Sequence, residues 1–349
     1  MNKKEILLAV SGGIDSAVSI HLLQQSGFKV HGVYFEFWHW ENETVSDKHH
    51  ILQLISRILK VEIETLDYRE SFRKSIIQSF ITEQKNGLTP NPCVRCNPTV
   101  KFRLLQELAD KRGVHHISTG HYARVKHDMI NEHHLLKTGV DADKDQSYVL
   151  CYLDQSILSR VVFPMGELIK KEVYEIGKNL NLPLQKNSES QDLCFVKPEN
   201  YTLFLKEVLG KPKKGEIVNS SGQVIGTHDG LQFYTIGQRK RIRVSNKEAF
   251  YVLRKDINSN KLIVGMQKEL DNPEFFIHHI NWIPQKPKMP FTSDVKIRYR
   301  SKRFRCRVDE KENDIYKISC ETSPRGVTPG QYAVFYEGDY VIGGGKILG

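Results

Sequence analysis

Two groups of residues in this 349-residue chain have the types and spacing to do chemistry. The first is a pair of thiols in Thr89-Pro90-Asn91-Pro92-Cys93-Val94-Arg95-Cys96-Asn97-Pro98. A C-x-x-C spacing serves redox, sulfur or metal chemistry. Arg95 and Lys101 stand nearby and favour thiolate over thiol. A zinc finger would need a second ligand pair at similar spacing, and the chain has none. The three prolines predict a stiff loop here. Cys194, in Ser190-Gln191-Asp192-Leu193-Cys194-Phe195, is a third candidate, although by itself it reads more readily as a small buried residue. Cys151, Cys306 and Cys320 sit in apolar or alternating contexts and read as packing.

The second group is Ser11-Gly12-Gly13-Ile14-Asp15-Ser16. Consecutive glycines let the backbone turn tightly and bring its N–H groups close to a ligand. The helix that follows adds its unpaired donors and partial positive charge, so phosphate is a natural guest, with Ser11 and Ser16 as hydroxyl donors. The lysine of a kinase-type loop is missing. No His-Glu-x-x-His motif exists, which argues against a zinc hydrolase.

The surrounding pattern explains how these groups would be held. Strands are expected at Glu5–Val10, Lys29–Phe37, Val61–Leu66 and near His116–Thr119. Helices are expected at Ser16–Gln25, Ser46–Leu59, Phe72–Gln84, Val100–Lys111 and about Gly166–Leu180. Strands separated by helices predict an α/β domain, a parallel sheet wrapped on both faces. After about Pro198 a short helix over Tyr201–Leu209 gives way to turn signals between short β-branched runs, which predicts a small β domain and then a second β module. The expected divisions are 1–198, 199–268 and 269–349.

The formal net charge is +10, so the surface attracts polyanions. Lys296, Arg298, Arg300 and Lys302 alternate with apolar or small residues, then Arg303, Arg305 and Arg307 alternate in the opposite parity. On strands this pattern predicts a basic face over an apolar core, with a bend near Ser301-Lys302. Gln238-Arg239-Lys240-Arg241 adds a second basic cluster. No apolar run approaches the ~20 residues that span a bilayer, and the short apolar stretch after Met1 leads into a helix instead of a cleavage site. A soluble, cytoplasmic protein is expected, without a membrane partner.

Seven motifs then recur in order: Ser-Gly-Gly-x-Asp-Ser, Thr-Pro-Asn-Pro followed by Cys96-Asn97, Thr119-Gly120-His121-Tyr122, Lys144-Asp145-Gln146-Ser147-Tyr148, Gly226–Arg239, Arg298-Tyr299-Arg300 and Thr328-Pro329-Gly330-Gln331. Together they resemble the bacterial tRNA-specific 2-thiouridylase family of pyrophosphate-loop ATP pyrophosphatases, from end to end. The resemblance implies a pyrophosphate-loop domain, a small β domain and a C-terminal β-barrel. It implies ATP-dependent 2-thiolation of the wobble uridine in the tRNA anticodon arm, with Mg2+ and a persulfide-donating relay protein or cysteine desulfurase as partner. Cys96 and Cys194 become the catalytic thiols, ending as a disulfide. Ala9, Val10, Ser11, Gly12, Gly13, Ile14, Asp15, Ser16, Phe35 and Gly120 fall at the nucleotide. Asn91, Pro92, Cys93, His121, Lys144, Asp145, Gln146, Arg298, Tyr299 and Gln331 fall at the tRNA, His121 reading equally as a structural hydrogen-bonding residue.

Cys93 stands where the family usually has aspartate. Its unperturbed pKa of about 8.5, against about 3.9 for Asp, prevents it from inheriting the carboxylate's role. Two routes stay open: a persulfide relay through Cys194 and Cys96, or a four-iron four-sulfur cluster held by Cys93, Cys96 and Cys194. Another pyrophosphate-loop ATPase, or a non-catalytic tRNA-binding adaptor, is the competing class.

Overall fold

The computed structural model of the chain describes residues 4–38, 45–183, 193–242, 244 and 249–349. Its first layer grows from β1 (Glu5–Ala9), whose Ile6, Leu7 and Leu8 are wholly buried, as befits a strand covered on both faces. β2 (Lys29–Glu36) and β4 (His116–Thr119) flank it in parallel. β3 (Ile63–Asp67) and the two-residue β7 (Val161–Val162) complete a parallel sheet in the order β3-β2-β1-β4-β7. Helices α1 (Ile14–Gln25) and α2 (Val45–Leu59) connect the first three strands. The strand order reverses between β1 and β4, so their C-terminal ends open the crevice where such sheets bind ligands.

The expected loop around the cysteines is instead a helix. Pro92–Cys96 is α-helical, Asn97–Lys101 is a wider π turn, and Phe102–Lys111 continues as α-helix. Pro92 suits the first turn, where its missing N–H is not needed. Pro98 lies in the interior, and the chain accommodates the lost donor by widening to an i→i+5 turn at that point. Buried Asn97 fixes the turn by donating from Nδ2 to Val149 O at 2.9 Å. A second helical run, Arg69–Phe72 to Gln78–Lys85, carries its own π turn at Arg73–Ile77.

A hairpin of β5 (Ala123–Asp128) and β6 (His133–Thr138) is absent from the sequence-based expectation. It joins the barrel sheet at one edge while its buried Ala123 and Leu136 stay packed in the first domain's core. The central domain is a four-stranded sheet of β8 (Gly215–Asn219), β9 (Val224–His228), β10 (Tyr251–Asp256) and β11 (Lys261–Gly265). Beyond it, β12 (Glu274–Trp282), β13 (Phe291–Lys296), β14 (Phe304–Glu310), β15 (Ile315–Cys320), β16 (Tyr332–Glu337) and β17 (Tyr340–Ile347) are antiparallel. Pairing of β12 with β17 closes them into a barrel, and β6-β5 extends the sheet from β17. Cys151 is fully buried beneath β17, where a Cβ on Gly344 would come within 2.7 Å of its sulfur. Among the described residues no helix is long and apolar enough to cross a membrane.

The alternating basic stripe does not form one strand face. β13 ends at Lys296 and β14 begins at Phe304, leaving 297–303 as the connection. Arg298 turns inward: Nη2 donates to Ile236 O at 3.0 Å, Gly326 O at 2.6 Å and Thr328 Oγ1 at 2.6 Å, joining the central domain to the barrel. Lys296 and Arg303 lie over the Tyr336 ring, 6.0 and 4.0 Å from its centroid. Arg305 meets Asp294 of its partner strand at 3.4 Å, and Arg307 meets Asp309 at 3.0 Å. Period-2 reading along one segment does not show where the strand ends or which acids the neighbouring strand supplies.

Both β domains dock on the segment before the cysteine helix. Thr89 N–H donates to Pro329 O at 2.9 Å, and Gln331 Nε2 donates back to Thr89 O at 2.9 Å. Lys346 and Glu83 pair at 2.8 Å with both side chains largely covered. Lys255 of β10 reaches Leu88 O at 3.5 Å. Gly330, at φ +90°, leaves room for this contact, since a Cβ there would meet Leu88 Cβ at 2.9 Å and Thr89 N at 3.0 Å. Gly330→Ala is therefore expected to cost about 1–3 kcal/mol, read from urea melts, and to speed proteolysis near Gly87. A variant as stable and as protease-resistant as the parent would refute the tight docking.

Candidate active site

The loop after β1 is held by its own hydroxyls. Ser16 Oγ donates to Gly13 O at 2.9 Å and accepts from Ser11 N–H at 3.1 Å, while Gly13 N–H donates to Ser11 Oγ at 3.3 Å. Gly12 takes φ +82°, a conformation that suits glycine. Gly13 caps α1 in an extended conformation with no side-chain cap bond, so the first-turn donors are left to a ligand. Gly120, one residue past β4, presses on this turn: a Cβ would stand 3.1 Å from Ser16 N and 3.2 Å from the Asp15 carbonyl carbon. Ala9 ends β1, and buried Val10 donates to Val33 O at 2.8 Å. Phe35 on β2 is buried and stacks with Phe37. The expected nucleotide residues thus gather around the switch point, with Phe35 on the adjacent strand.

The loop has no lysine, but the fold brings one to it. Lys170, the first residue of the Lys170–Asn179 helix, donates to Asp15 Oδ1 at 2.7 Å and Oδ2 at 2.9 Å. Tyr122 Oη donates to Oδ1 at 2.7 Å. The Lys170 ammonium also lies over the Tyr174 ring, 5.0 Å from its centroid. Asp15 is thereby neutralised beside the phosphate donors, where a free carboxylate would repel an anion. Sequence reading missed Lys170 because nothing local marks a residue 155 positions from its partner.

The thiols stand on the next side of the crevice. Cys96 is buried, Cys93 half-buried and Cys194 exposed. Burial pushes the Cys93 and Cys96 thiols up to about 12, opposed in both by the Lys101 ammonium. Cys194 is raised too, first by burial, with Lys101 and Lys48 opposing. Its open surface governs access, and the raised thiol reflects the protein mass behind it. Cys194 acts electrostatically on both Cys93 and Cys96, so the three thiols and Lys101 share one neighbourhood. Lys48 of α2 extends that neighbourhood toward the phosphate loop, its Cγ standing 3.9 Å from where a Gly12 Cβ would be. Among the described residues, which include all three cysteines, no three ligating side chains are arranged to hold a metal ion.

The residues expected at tRNA divide by setting. Asn91 and Pro92 open the cysteine helix as its cap and first residue. Asp145 is buried and accepts from Gly139 N–H, Ser147 N–H and Ser147 Oγ. Gln146 Oε1 accepts from Tyr122 N–H at 3.0 Å, and Lys144, half-buried, precedes them in the same turn. His121 is buried, bonded through Nδ1 to Thr119 Oγ1 at 2.7 Å and stacked on Phe102. Burial, then Lys101, lowers it well below its ordinary value, so it is neutral at pH 7. Tyr299 is half-buried against Tyr148. Gln331 and Arg298 make the interdomain bonds given above. Ser190, Gln191 and Asp192, which precede Cys194 in sequence, lie outside the described residues.

A glycine-rich loop at the switch point of a parallel sheet, with a thiol cluster at the same crevice, defines a pyrophosphate-loop enzyme that handles sulfur. Comparison with known proteins narrows this. Residues 4–198 match the family described as tRNA methyl transferase HUP domain, 202–266 its PRC-barrel domain and 272–347 the aminomethyltransferase beta-barrel domain. A tRNA-specific 2-thiouridylase of Geotalea uraniireducens is 36% identical, the match covering 99% of this chain and 95% of that one. Its namesake in Trichlorobacter lovleyi is 37% identical, over 98% and 97%. Among solved structures, the U34-tRNA thiolase NcsA of Methanococcus maripaludis with its [4Fe-4S] cluster aligns at a TM-score of 0.36 and 16% identity, covering 60% of this chain and 68% of that one. That likeness is too distant to bear on mechanism. The chain belongs to the tRNA-specific 2-thiouridylase family. The methyl-transferase wording of the domain descriptions and the relatives' name differ, and the thiol cluster agrees with the latter.

Two outcomes test this geometry. Lys170→Met strands Asp15 and should cost about 3 kcal/mol, the low end for a broken buried pair because Asp15 is partly open; Asp15→Asn with Lys170→Met should recover most of it in urea melts. Equal stability of the single variant and parent would dismiss the pair. Because the Cys96 thiol is raised, it is protonated at neutral pH, and its alkylation in the free enzyme should quicken about tenfold per pH unit across pH 7–9. A rate already flat by pH 8 would mean a depressed thiol instead.

Proposed function

We propose that the enzyme replaces the 2-oxygen of the wobble uridine in tRNA by sulfur, using ATP. The juxtaposition of Cys96 and Cys194, distant in sequence, with the phosphate-loop crevice supports this reading most directly. A ring carbonyl oxygen leaves poorly, and adenylation converts it to AMP, a good leaving group. The Ser11–Ser16 loop and the α1 N-terminus bind the pyrophosphate that departs from ATP. Mg2+ accompanies the nucleotide. Phe35 and Gly120 lie at the nucleotide's edge.

Cys194, the accessible thiol, receives a persulfide sulfur from a relay protein or cysteine desulfurase. The terminal sulfur attacks C2 and AMP leaves, giving a Cys194–S–S–C2 adduct. Cys96 gives up its proton and attacks the Cys194 sulfur; the S–S bond breaks and its electron pair stays with sulfur on the base. A Cys96–Cys194 disulfide remains, and the thiol reductants of the cytoplasm reset it. Lys101 offsets charge on whichever thiol is ionised. Cys93, protonated and half-buried, is a neighbour of the reacting thiols without a proton-transfer role. Every step above runs through the cysteine thiols and ATP, and none is assigned to an iron–sulfur cluster.

The anticodon arm meets the exposed basic groups Arg239, Lys240, Arg241, Arg300, Lys302, Arg305 and Arg307. These contacts position RNA without reading sequence, and the Asn91-Pro92-Cys93 turn faces the extruded base. The decisive experiment is nucleoside mass spectrometry on undermodified tRNA after incubation with Mg2+-ATP and a persulfide donor. Wobble 2-thiouridine is expected from the parent and none from Cys96→Ser or Cys194→Ser, both of which keep ATP and tRNA binding. Near-normal product from either variant removes that thiol from the mechanism. Anaerobically purified enzyme should be colourless, iron-free and active; activity that requires added iron would reinstate the cluster.

A further inference from the structure

Two thiols outside the active site face each other in the barrel. Cys306 on β14 and Cys320 on β15 are register partners. Glu321 N–H donates to Arg305 O at 3.0 Å, whereas Cys320 N–H turns to the other side and donates to Pro273 O at 2.8 Å. The cysteines therefore form a non-hydrogen-bonded cross-strand pair, the kind whose Cα atoms stand about 4.5 Å apart with side chains closest. That spacing falls in the range of about 4.4–6.8 Å that a disulfide bridges.

The side chains use this opportunity. Cys306 Sγ donates to Cys320 Sγ at 3.1 Å, about 1 Å beyond a covalent S–S bond. Mere packing, as the sequence suggested, would leave two sulfurs at ordinary contact. The two also differ in access: Cys306 is fully buried and Cys320 half-buried.

We propose that Cys306 and Cys320 form a second redox site, separate from the catalytic thiols, which a peroxide oxidises to a disulfide across β14 and β15. Cys320 meets the oxidant. Its sulfur attacks one peroxide oxygen, the O–O bond breaks, and the departing hydroxide takes the Cys320 proton to leave as water. The resulting sulfenic acid is attacked by Cys306 Sγ; the S–O bond breaks and the oxygen leaves as water with the Cys306 proton. The two sulfurs lose two electrons and the peroxide is reduced to two waters. The hydrogen bond between them lowers the Cys320 thiol and raises Cys306, in keeping with these roles. The bond would fasten β14, which carries exposed Arg305 and Arg307, to its neighbour.

The test treats the native full-length enzyme with hydrogen peroxide, blocks remaining thiols, and maps tryptic peptides without reduction. A peptide joining Cys306 to Cys320, lighter by two hydrogens and lost on reduction, is expected. In Cys306→Ser a sulfenic acid should be trapped on Cys320 by dimedone, while in Cys320→Ser the buried Cys306 should stay a free thiol. Native enzyme whose Cys194 is oxidised while Cys306 and Cys320 are both recovered as alkylated thiols would overturn the proposal. Equal oxidation of Cys306 in the Cys320→Ser variant would overturn the order of attack. The parent's cross-link stands as a test even where a serine variant folds poorly.

Discussion

Thr89 is the point on which the three domains agree. Its N–H goes to Pro329 O and its carbonyl accepts from Gln331, so both backbone groups are committed to the C-terminal barrel three residues before the cysteine helix begins. A backbone group buried without a partner costs about as much as a lost hydrogen bond. The loop is thus held in one place by the barrel, and Lys255 holds its start from the central domain. The thiols inherit their position from a contact that neither thiol makes.

The same logic governs the phosphate side. Gly120 and the α1 N-terminus touch through backbone atoms, and Lys170 and Tyr122 hold the Asp15 carboxylate. Several residues that the family resemblance assigns to tRNA are built into this scaffold. Asp145 has both carboxylate oxygens occupied within the protein, and Gln146 Oε1 and His121 Nδ1 are bonded there as well. These bonds maintain the shape of the scaffold beside the crevice.

Local regularities read well from sequence. Buried Ile6, Leu7 and Leu8 announced a central strand, and Tyr201–Leu209 appeared as a helix where the pattern placed one. Proline misled at the cysteines. Pro98 is a breaker by propensity, yet the fold keeps the helix by widening one turn and anchoring Asn97. The basic stripe misled for a different reason: strand ends and cross-strand acids depend on pairing, which no single segment contains. The β5–β6 hairpin was missed because His133-His134-Leu135-Leu136-Lys137-Thr138 shows no polar–apolar alternation, although its strands pair locally.

The sequence by itself determined the candidate chemistry: a glycine-rich loop suited to an anion, paired thiols suited to redox, sulfur or metal chemistry, and ordered motifs that point to the family. These are covalent facts about side chains and close neighbours. Only the tertiary structure decided that Lys170 serves a loop lacking its own lysine, and that Arg298 faces inward. It also decided that Cys306 and Cys320 touch and that Lys101 sits among three thiols. Each depends on pairing between elements: Lys170 reaches Asp15 across 155 positions, and even Cys306 and Cys320 meet only through the register of β14 with β15. Such meetings are selected by burial and pairing over the whole chain, and leave no local mark.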